Sequence, residues 1–585
     1  MKRLYAYIRR HWVGYTFGIF CTVAFAVLQM VLPILMRDAV DAIQKVQHTR
    51  LIHLTILMCI LAILMGVARM FSRFVIFNMG RHIEYELRND LFTHLATLGT
   101  DFYERLKTGD LMSRMINDLT AVRMMIGMGV MSFTNTPVTY LLGLIFMFSL
   151  NVKLTLACMV PYVLLFISMR FLSRTLMMRS LKVQEGLGAI GAKVQESLSG
   201  IHVVKAYTLE EREAERFRNL NDEYNEQGLA LARIRGVFMP MIRGTVAASV
   251  MIVLIYGGAL IQANEFTISD LVAFMVYLGY LAWPTVSLGW MISIYQRAKA
   301  SMKRLDEIFH AAPTPSVAGD GARLAVEGAI EWDRVSFSYY ARDGMATGQD
   351  NSRAYALKDI CVKVPAGNKL AIVGRTGSGK STMAKLLARL IEPTDGHVLL
   401  DGRDIRELPL GALRRTVGVV PQEPTLFSDT MAHNIAFGRI AATMDEVQAA
   451  ARTAGLDGDL AVLPHGLDTI VGERGMALSG GQKQRVTIAR LLTYNPAIVV
   501  LDDALSSVDT ETERAVLQSL SESVKGRTTI VVSHRASTVR DADEIIVLED
   551  GAIAERGTHE QLMGLRGTYA ELFRRQLLEE ELARY

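Results

Sequence analysis

Charge is scarce in this sequence, and cysteine is nearly absent. Of 585 residues only 21% are Asp, Glu, Lys or Arg, and the net charge is +4. So small an excess argues against a dedicated nucleic-acid binder, which carries a larger or more localised basic surface. It also argues against a disordered chain, which needs a high net charge and few apolar residues. The four cysteines, Cys21, Cys59, Cys158 and Cys361, form no CxxC pair. A disulfide framework or a cysteine-held zinc site therefore finds no support, and the cysteines read as small buried hydrophobes.

The shortage of charge is local. No Asp, Glu, Lys or Arg occurs from His11 to Met36, Leu54 to Ala68, Met124 to Val152, Leu154 to Met169, Gly244 to Asn264 or Leu271 to Gln296. Half of all residues are hydrophobic, and mean hydropathy is +0.24. A helix needs about 20 apolar residues to cross a hydrocarbon core about 30 Å thick. Four runs meet that length outright. The second and fourth reach it only with flanking residues that include scattered Arg. Six runs before residue 300 and none after it predict a six-span membrane region rather than core helices of a soluble protein. The first run is too long for the apolar region of a cleaved leader.

Lys and Arg set the orientation. They crowd the N-terminus (Lys2, Arg3, Arg9, Arg10), the segment Arg81–Arg123 and the segment Arg170–Arg243, whereas Glu265–Asp270 has none. This predicts both termini and two long loops in the cytoplasm of a cell with a cytoplasmic membrane. The long loops are rich in Leu, Met, Glu and Arg. They read as helical stalks, with turns expected at Thr100–Asp110 and Tyr207–Glu211. The transmembrane domain is expected over 1–310. A Pro- and Gly-bearing linker follows over 311–327, and a soluble α/β domain is expected over 328–585. In that domain short β-branched strands (Lys369–Val373, Ala497–Leu501, Thr529–Val532, Glu544–Leu548) alternate with helical stretches.

Gly374-Arg375-Thr376-Gly377-Ser378-Gly379-Lys380-Ser381-Thr382 follows one of these strands and opens a helix. Glycines let backbone N–H groups curl toward phosphates, and the helix N-terminus adds partial positive charge. Lys380 is expected at the β- and γ-phosphates of ATP, and Ser381 on Mg2+. A second strand ends at Asp502, where a carboxylate can hold Mg2+. Asp503 follows it directly.

Between these motifs lies Leu478-Ser479-Gly480-Gly481-Gln482-Lys483-Gln484-Arg485. It resembles the signature of ATP-binding-cassette (ABC) ATPases, and other motifs fall in that family's order. The resemblance implies that Tyr339 stacks on adenine and that Gln422 contacts Mg2+ and the attacking water. It implies that Asp509 belongs to the D-loop and that His534 contacts the γ-phosphate. Gly472-Glu473-Arg474-Gly475 is similar to a short exporter motif. The region before residue 310 resembles the exporter-type transmembrane domain, so the likeness covers nearly the whole chain. It implies an ATP hydrolase coupled to export of hydrophobic or amphipathic compounds, drugs or lipids; the alternatives are a lipid flippase and a regulatory ATP-binding subunit whose partner carries most of the hydrolysis. Two cassettes would meet head to tail, each ATP being held by one chain's phosphate loop and the other's Leu478–Gln482. The turns near Gly109–Asn117 and Tyr207–Glu211 would dock on cassettes.

One residue departs from the family pattern. The acid after the strand-end Asp is Asp503 where most members have Glu. A general base must lie within about 2.6–3.2 Å of its proton donor, so the shorter side chain predicts slow hydrolysis at this chain's own site. The expectation that follows is a heterodimer with a second half-transporter bearing Glu. The other reading is a loop that relaxes and lets Asp503 reach the water. The transport cavity is less legible. Met30, Met36, Met147 and Met251, with other span methionines, suit a promiscuous apolar cavity or simple packing. Arg69, Arg73 and Arg170 read as vestibule or snorkelling residues. Pro33, Pro137, Pro161 and Pro284 read as kinks, and Trp283 and Trp290 as ligand contacts or interfacial anchors.

Overall fold

The computed structural model describes residues 1–313, 324–339, 355–472, 478–508, 510–533 and 535–582. His534, Asp509 and Glu473-Arg474-Gly475 lie outside the described residues, as does most of the linker. The chain divides into two compact units, Met1–Thr97 with Leu106–Ala312, and Leu98–Arg105 with Pro313–Tyr585.

The first unit is built on six long helices. They are α1 (Trp12–Gln44), α2 (His48–Thr97), α3 (Thr108–Leu150), α4 (Val152–Ser199), α5 (Glu210–Gln262) and α6 (Ile268–His310). In hydrocarbon every backbone N–H and C=O must be paired internally, which a continuous helix achieves. Among the described residues five of the six, all but α4, are long and apolar enough to cross a membrane. The uninterrupted apolar part of α4, Val152–Ser168, is shorter. The expected count of six spans is therefore met by five on apolar length. The residues that would lengthen α4 are the ones that bring in Arg170 and Arg174.

At 1.5 Å per residue, α2 with 50 residues and α5 with 53 run about 75–80 Å, far beyond a 30 Å core. The surplus forms the stalks. Pro33, Pro137, Pro161 and Pro284 all sit inside helical stretches, and none of them ends its helix. Asn151 caps α4 by accepting from the Leu154 N–H at 2.9 Å. Thr267 and Asp270 form a capping box on α6, satisfying donors that a helix start leaves orphaned. The bundle core gathers Met30, Met147, Cys158, Phe274 and Tyr277. The Tyr277 hydroxyl donates to the Met30 carbonyl at 2.9 Å. Met30 and Met147 are thus packing residues, while Met251 and Trp283 are exposed.

Two wide π turns, Arg114–Asp118 and Met125–Gly129, interrupt α3. Such turns are rare and fall frequently at functional sites. Here Arg114 reaches the Arg304 carbonyl at 2.8 Å and Glu307 at 3.1 Å. Buried Asp118 accepts from Ser301 at 2.8 Å and pairs with Arg304. In this chain Gly109–Asn117 belongs to the helical unit. A short helix nearer the N-terminus, Thr100–Arg105, belongs to the second unit. The Thr100 hydroxyl donates to the Leu390 carbonyl at 2.6 Å, and Lys385 lies 3.6 Å from Glu104.

The second unit holds two sheets. Strands β1 (Ile330–Phe337), β2 (Leu357–Val364), β4 (Asp395–Leu400) and β5 (Arg403–Asp404) form an antiparallel sheet in the order β2-β1-β4-β5. Strands β3 (Lys369–Gly374), β6 (Val417–Val420), β7 (Ile498–Asp502), β8 (Thr528–Val532), β9 (Glu544–Glu549) and β10 (Ala552–Gly557) form the other, in the order β10-β9-β3-β8-β7-β6. All its pairs are parallel except β9–β10. Every residue of β7 and β8 is buried. Continuous apolar strands are what a parallel sheet covered on both faces requires.

Candidate nucleotide site

Parallel pairing puts four strand ends on one edge. Val420 lies opposite Leu501, Asp502 opposite Val532, and Ile372 opposite Val532. The phosphate loop leaves β3 there, Asp502 and Asp503 end β7, Ser533 follows β8, and Gln422 follows β6. The C-terminal edge of such a sheet is where α/β folds place their ligands.

The loop geometry demands glycine. Gly374 has φ +155° and Gly379 φ +103°. A Cβ would lie 2.4 Å from the Leu548 carbonyl oxygen at the first and 2.5 Å from the Ala356 carbonyl oxygen at the second. Gly379, in the left-handed region, is the N-cap of helix α7 (Lys380–Leu387). The Lys380 and Ser381 side chains therefore issue from its first turn. The Lys380 ammonium donates to the Gly374 and Arg375 carbonyls, both at 2.8 Å. Burial pulls its pKa below the usual lysine value, against the nearby Asp503 and Asp502 charges. A phosphate would give that ammonium a full counter-charge. The Ser378 hydroxyl is buried without a partner, and Arg375, Thr376 and Gly377 are exposed.

The Ser381 hydroxyl donates to Asp502 Oδ1 at 3.0 Å. Asp502 is buried, and burial raises its pKa. The Ser381 bond opposes that shift, and the Asp503 charge adds to it. A hydroxyl and a carboxylate brought together at a desolvated edge make an oxygen donor pair suited to Mg2+, which takes the rest of its shell from phosphate and water. Among the described residues there is no cluster of three or more His, Cys, Asp or Glu able to hold a metal, so Ser381 and Asp502 fit a phosphate-dependent cation and not a dedicated protein cage. Tyr339 stands edge-on to Phe337, with ring centroids 4.7 Å apart, and its hydroxyl is 3.3 Å from Thr382 Oγ1. Gln422 is exposed.

Asp503 has φ +50°, a conformation in which Asp is enriched several-fold among non-glycine residues. Its N–H donates to the Val532 carbonyl at 2.8 Å. Leu478–Gln482 opens helix α8 (Gly480–Tyr494). Ser479 is the N-cap, in a reciprocal capping box with Gln482. Among the described residues no hydrogen bond or ion pair joins this motif to the phosphate loop. Gly480 and Gly481 instead lie against Ser507 and Val508. The sequence analysis gave no role to Gln484, Glu513 and Arg535, which hold the turn after Asp503. Gln484 lies inside the quoted Leu478–Arg485 stretch and Arg535 follows His534, whereas Glu513 carries no signal in sequence.

Family models agree with this architecture. The ABC transporter transmembrane region matches residues 15–285, and the ABC transporter ATPase model matches 357–506. The probable multidrug resistance ABC transporter ATP-binding/permease protein YheI of Bacillus subtilis is 37% identical over 581 residues, spanning 99% of this chain and 98% of that protein.

The chain belongs to the ABC transporter family.

Other relatives of this ABC transporter include the multidrug resistance-like protein MdlA of Escherichia coli, 35% identical over 98% of the chain and 96% of MdlA. The ATP-dependent lipid A-core flippase of Methylococcus capsulatus is 33% identical over 98% of the chain and 94% of the flippase. A bacterial Atm1-family ABC exporter solved with ATP bound superposes with TM-score 0.79 at 29% identity, covering 97% of this chain and 99% of that one. The protein is thus a multi-pass membrane ABC exporter whose second unit binds ATP and couples its hydrolysis to transport.

Proposed function

We propose that this chain is the slow-site half of a heterodimeric exporter of hydrophobic or amphipathic compounds. It would contribute six spans, with both termini in the cytoplasm, to a dimer in the cytoplasmic membrane. The proposed domain limits are 1–310, 311–327 and 328–585. Gly374–Thr382 would hold the phosphates of ATP, with Tyr339 on the adenine. Ser381, Asp502 and Gln422 would hold Mg2+, whose charge would neutralise phosphate oxygens. Asp509 and His534 would act in the D-loop and at the γ-phosphate. Leu478–Gln482 would close on the ATP of a partner half that carries Glu after its strand-end Asp.

The observation that carries the reading is Asp503 itself. Its side chain is one methylene shorter than Glu, and its backbone is tied to β8 through the Val532 carbonyl. The loop therefore has little freedom to advance the carboxylate. The test is ATP turnover by the purified chain alone and with its partner half. A slow lone chain that becomes active in the mixed dimer is the expected result. Robust turnover by the lone chain would defeat the proposal. Lipid is a second candidate cargo, favoured by the flippase relative. Vesicle assays with a fluorescent drug and with a labelled lipid separate the two.

A further inference from the structure

The turn after Asp503 is gripped from two sides by side chains outside the phosphate loop and the signature motif. On one side is Gln484, in α8 two residues beyond the signature motif and 1% exposed. Its Nε2 donates to Ser506 Oγ at 2.9 Å, and its Oε1 accepts from the Ser507 N–H at 2.9 Å. This two-bond grip is possible because α8 approaches the turn very closely. A Cβ on Gly481 would lie 2.9 Å from the Ser507 carbonyl oxygen, and one on Gly480 would lie 3.1 Å from Ser507 Cβ.

On the other side is Arg535, adjacent in sequence to His534. Its guanidinium donates to the Ser506 carbonyl at 2.8 Å and to the Val508 carbonyl at 3.1 Å. It also pairs with Glu513, which is 1% exposed. Glu513 in turn accepts from Thr538 Oγ1 at 3.0 Å. A planar, forked donor can hold two carbonyls and a carboxylate at once, which an ammonium cannot do with the same geometry. The cavity that Asp503, Ser506, Glu513 and Arg535 help to line is only about 10 Å3, room for one water at most. The turn has nowhere to sink.

We infer that Gln484 and Arg535 are positioning residues that lock the Asp503–Val508 turn to the signature helix. They fix where the Asp503 carboxylate stands and tie it mechanically to the motif that faces the partner's ATP. The inference deepens the proposed function and rests on the general-base reading of residue 503. Removing either grip lets the carboxylate wander. A displacement of about 1 Å costs about 100-fold in rate without any change in nucleotide contacts.

The test uses the full chain assembled with its partner half, in an Asp503→Glu background where turnover at this site is measurable. Gln484→Met removes its two bonds at nearly constant volume, and Arg535→Lys replaces the fork by an ammonium that cannot hold both carbonyls and Glu513 in the same geometry. Gln484→Glu keeps two acceptors for the Ser506 hydroxyl and the Ser507 N–H. The expected result is a 10- to 100-fold fall in kcat for Gln484→Met and Arg535→Lys, with KM and ATP-analogue affinity within about twofold. Gln484→Glu should restore kcat, and the double variant should be little worse than the worse single one, because both grip one turn. Unchanged kcat, or a kcat loss matched by an equal loss of analogue binding or by a lowered melting temperature, would overturn the inference. Hydrogen exchange of the Ser506–Val508 amides is a readout independent of chemistry: it should quicken in Gln484→Met, and no change would overturn the grip. Failure of the general-base reading would look different. Asp503→Glu would then leave turnover unchanged while the exchange effect persisted.

Discussion

Replacing Asp503 by Glu is the sharpest perturbation the structure offers. The substitution adds one carbon–carbon bond, about 1.5 Å, between backbone and carboxylate. The backbone does not move to compensate. The Asp503 N–H is bonded to Val532, the Ser506 N–H to the Asp503 carbonyl at 3.3 Å, and the turn beyond is held by Gln484 and Arg535. If the proposed slow site holds, the added bond length is about the distance by which the shorter acid falls short of its water. A mismatch of that size is worth about 100-fold in rate, or about 2.7 kcal/mol in the barrier. Steady-state and single-turnover ATPase assays on the reconstituted transporter should show kcat rising by about that factor with KM for ATP little changed. Equal rates for the native chain and the Asp503→Glu variant, with nucleotide binding intact in both, would refute the reasoning. The native loop would then already deliver the shorter acid.

Lys380→Ala should weaken binding of an ATP analogue about 10- to 100-fold, the size of one lost charge-assisted interaction. Unchanged affinity would remove this loop from the site. Burial raises the Asp502 carboxyl, so folding takes up a proton between the ordinary carboxylate pKa and the raised one. The ionised group costs stability above that window, and the cost disappears below it. Without nucleotide or Mg2+, Asp502→Asn should therefore raise the melting temperature at pH 7 and flatten its pH dependence while abolishing Mg-dependent turnover; a lower melting temperature at pH 7 would contradict this. Gly481→Ala would bring a Cβ to 2.9 Å from the Ser507 carbonyl and should destabilise by about 1–3 kcal/mol in chemical denaturation. Gly188→Ala, with nothing within 4 Å, should instead stabilise α4 by about 0.5–1 kcal/mol.

What the sequence determined by itself is local chemistry. Charge-free runs can only be membrane helices or core. Gly374–Thr382 after an apolar strand reads as an anion-binding loop, and its glycines are needed because carbonyls of Leu548 and Ala356 lie where a Cβ would stand. Strands β3, β7, β8 and β9 were legible to within a residue because apolar runs buried on both faces leave little latitude, whereas β6 was not read from the sequence. Tertiary structure alone decided how those pieces meet. It showed that Thr100–Arg105 belongs with the second unit, and that the Gly109–Asn117 stretch is tied to α6 through Arg114. It also showed that Gln484, Glu513 and Arg535, scattered along the chain, converge on one turn. Hydrophobic and glycine patterns record what a segment must bury or avoid, so they survive in one dimension. A buried polar grip depends on partners brought together only when β7, β8 and α8 have packed.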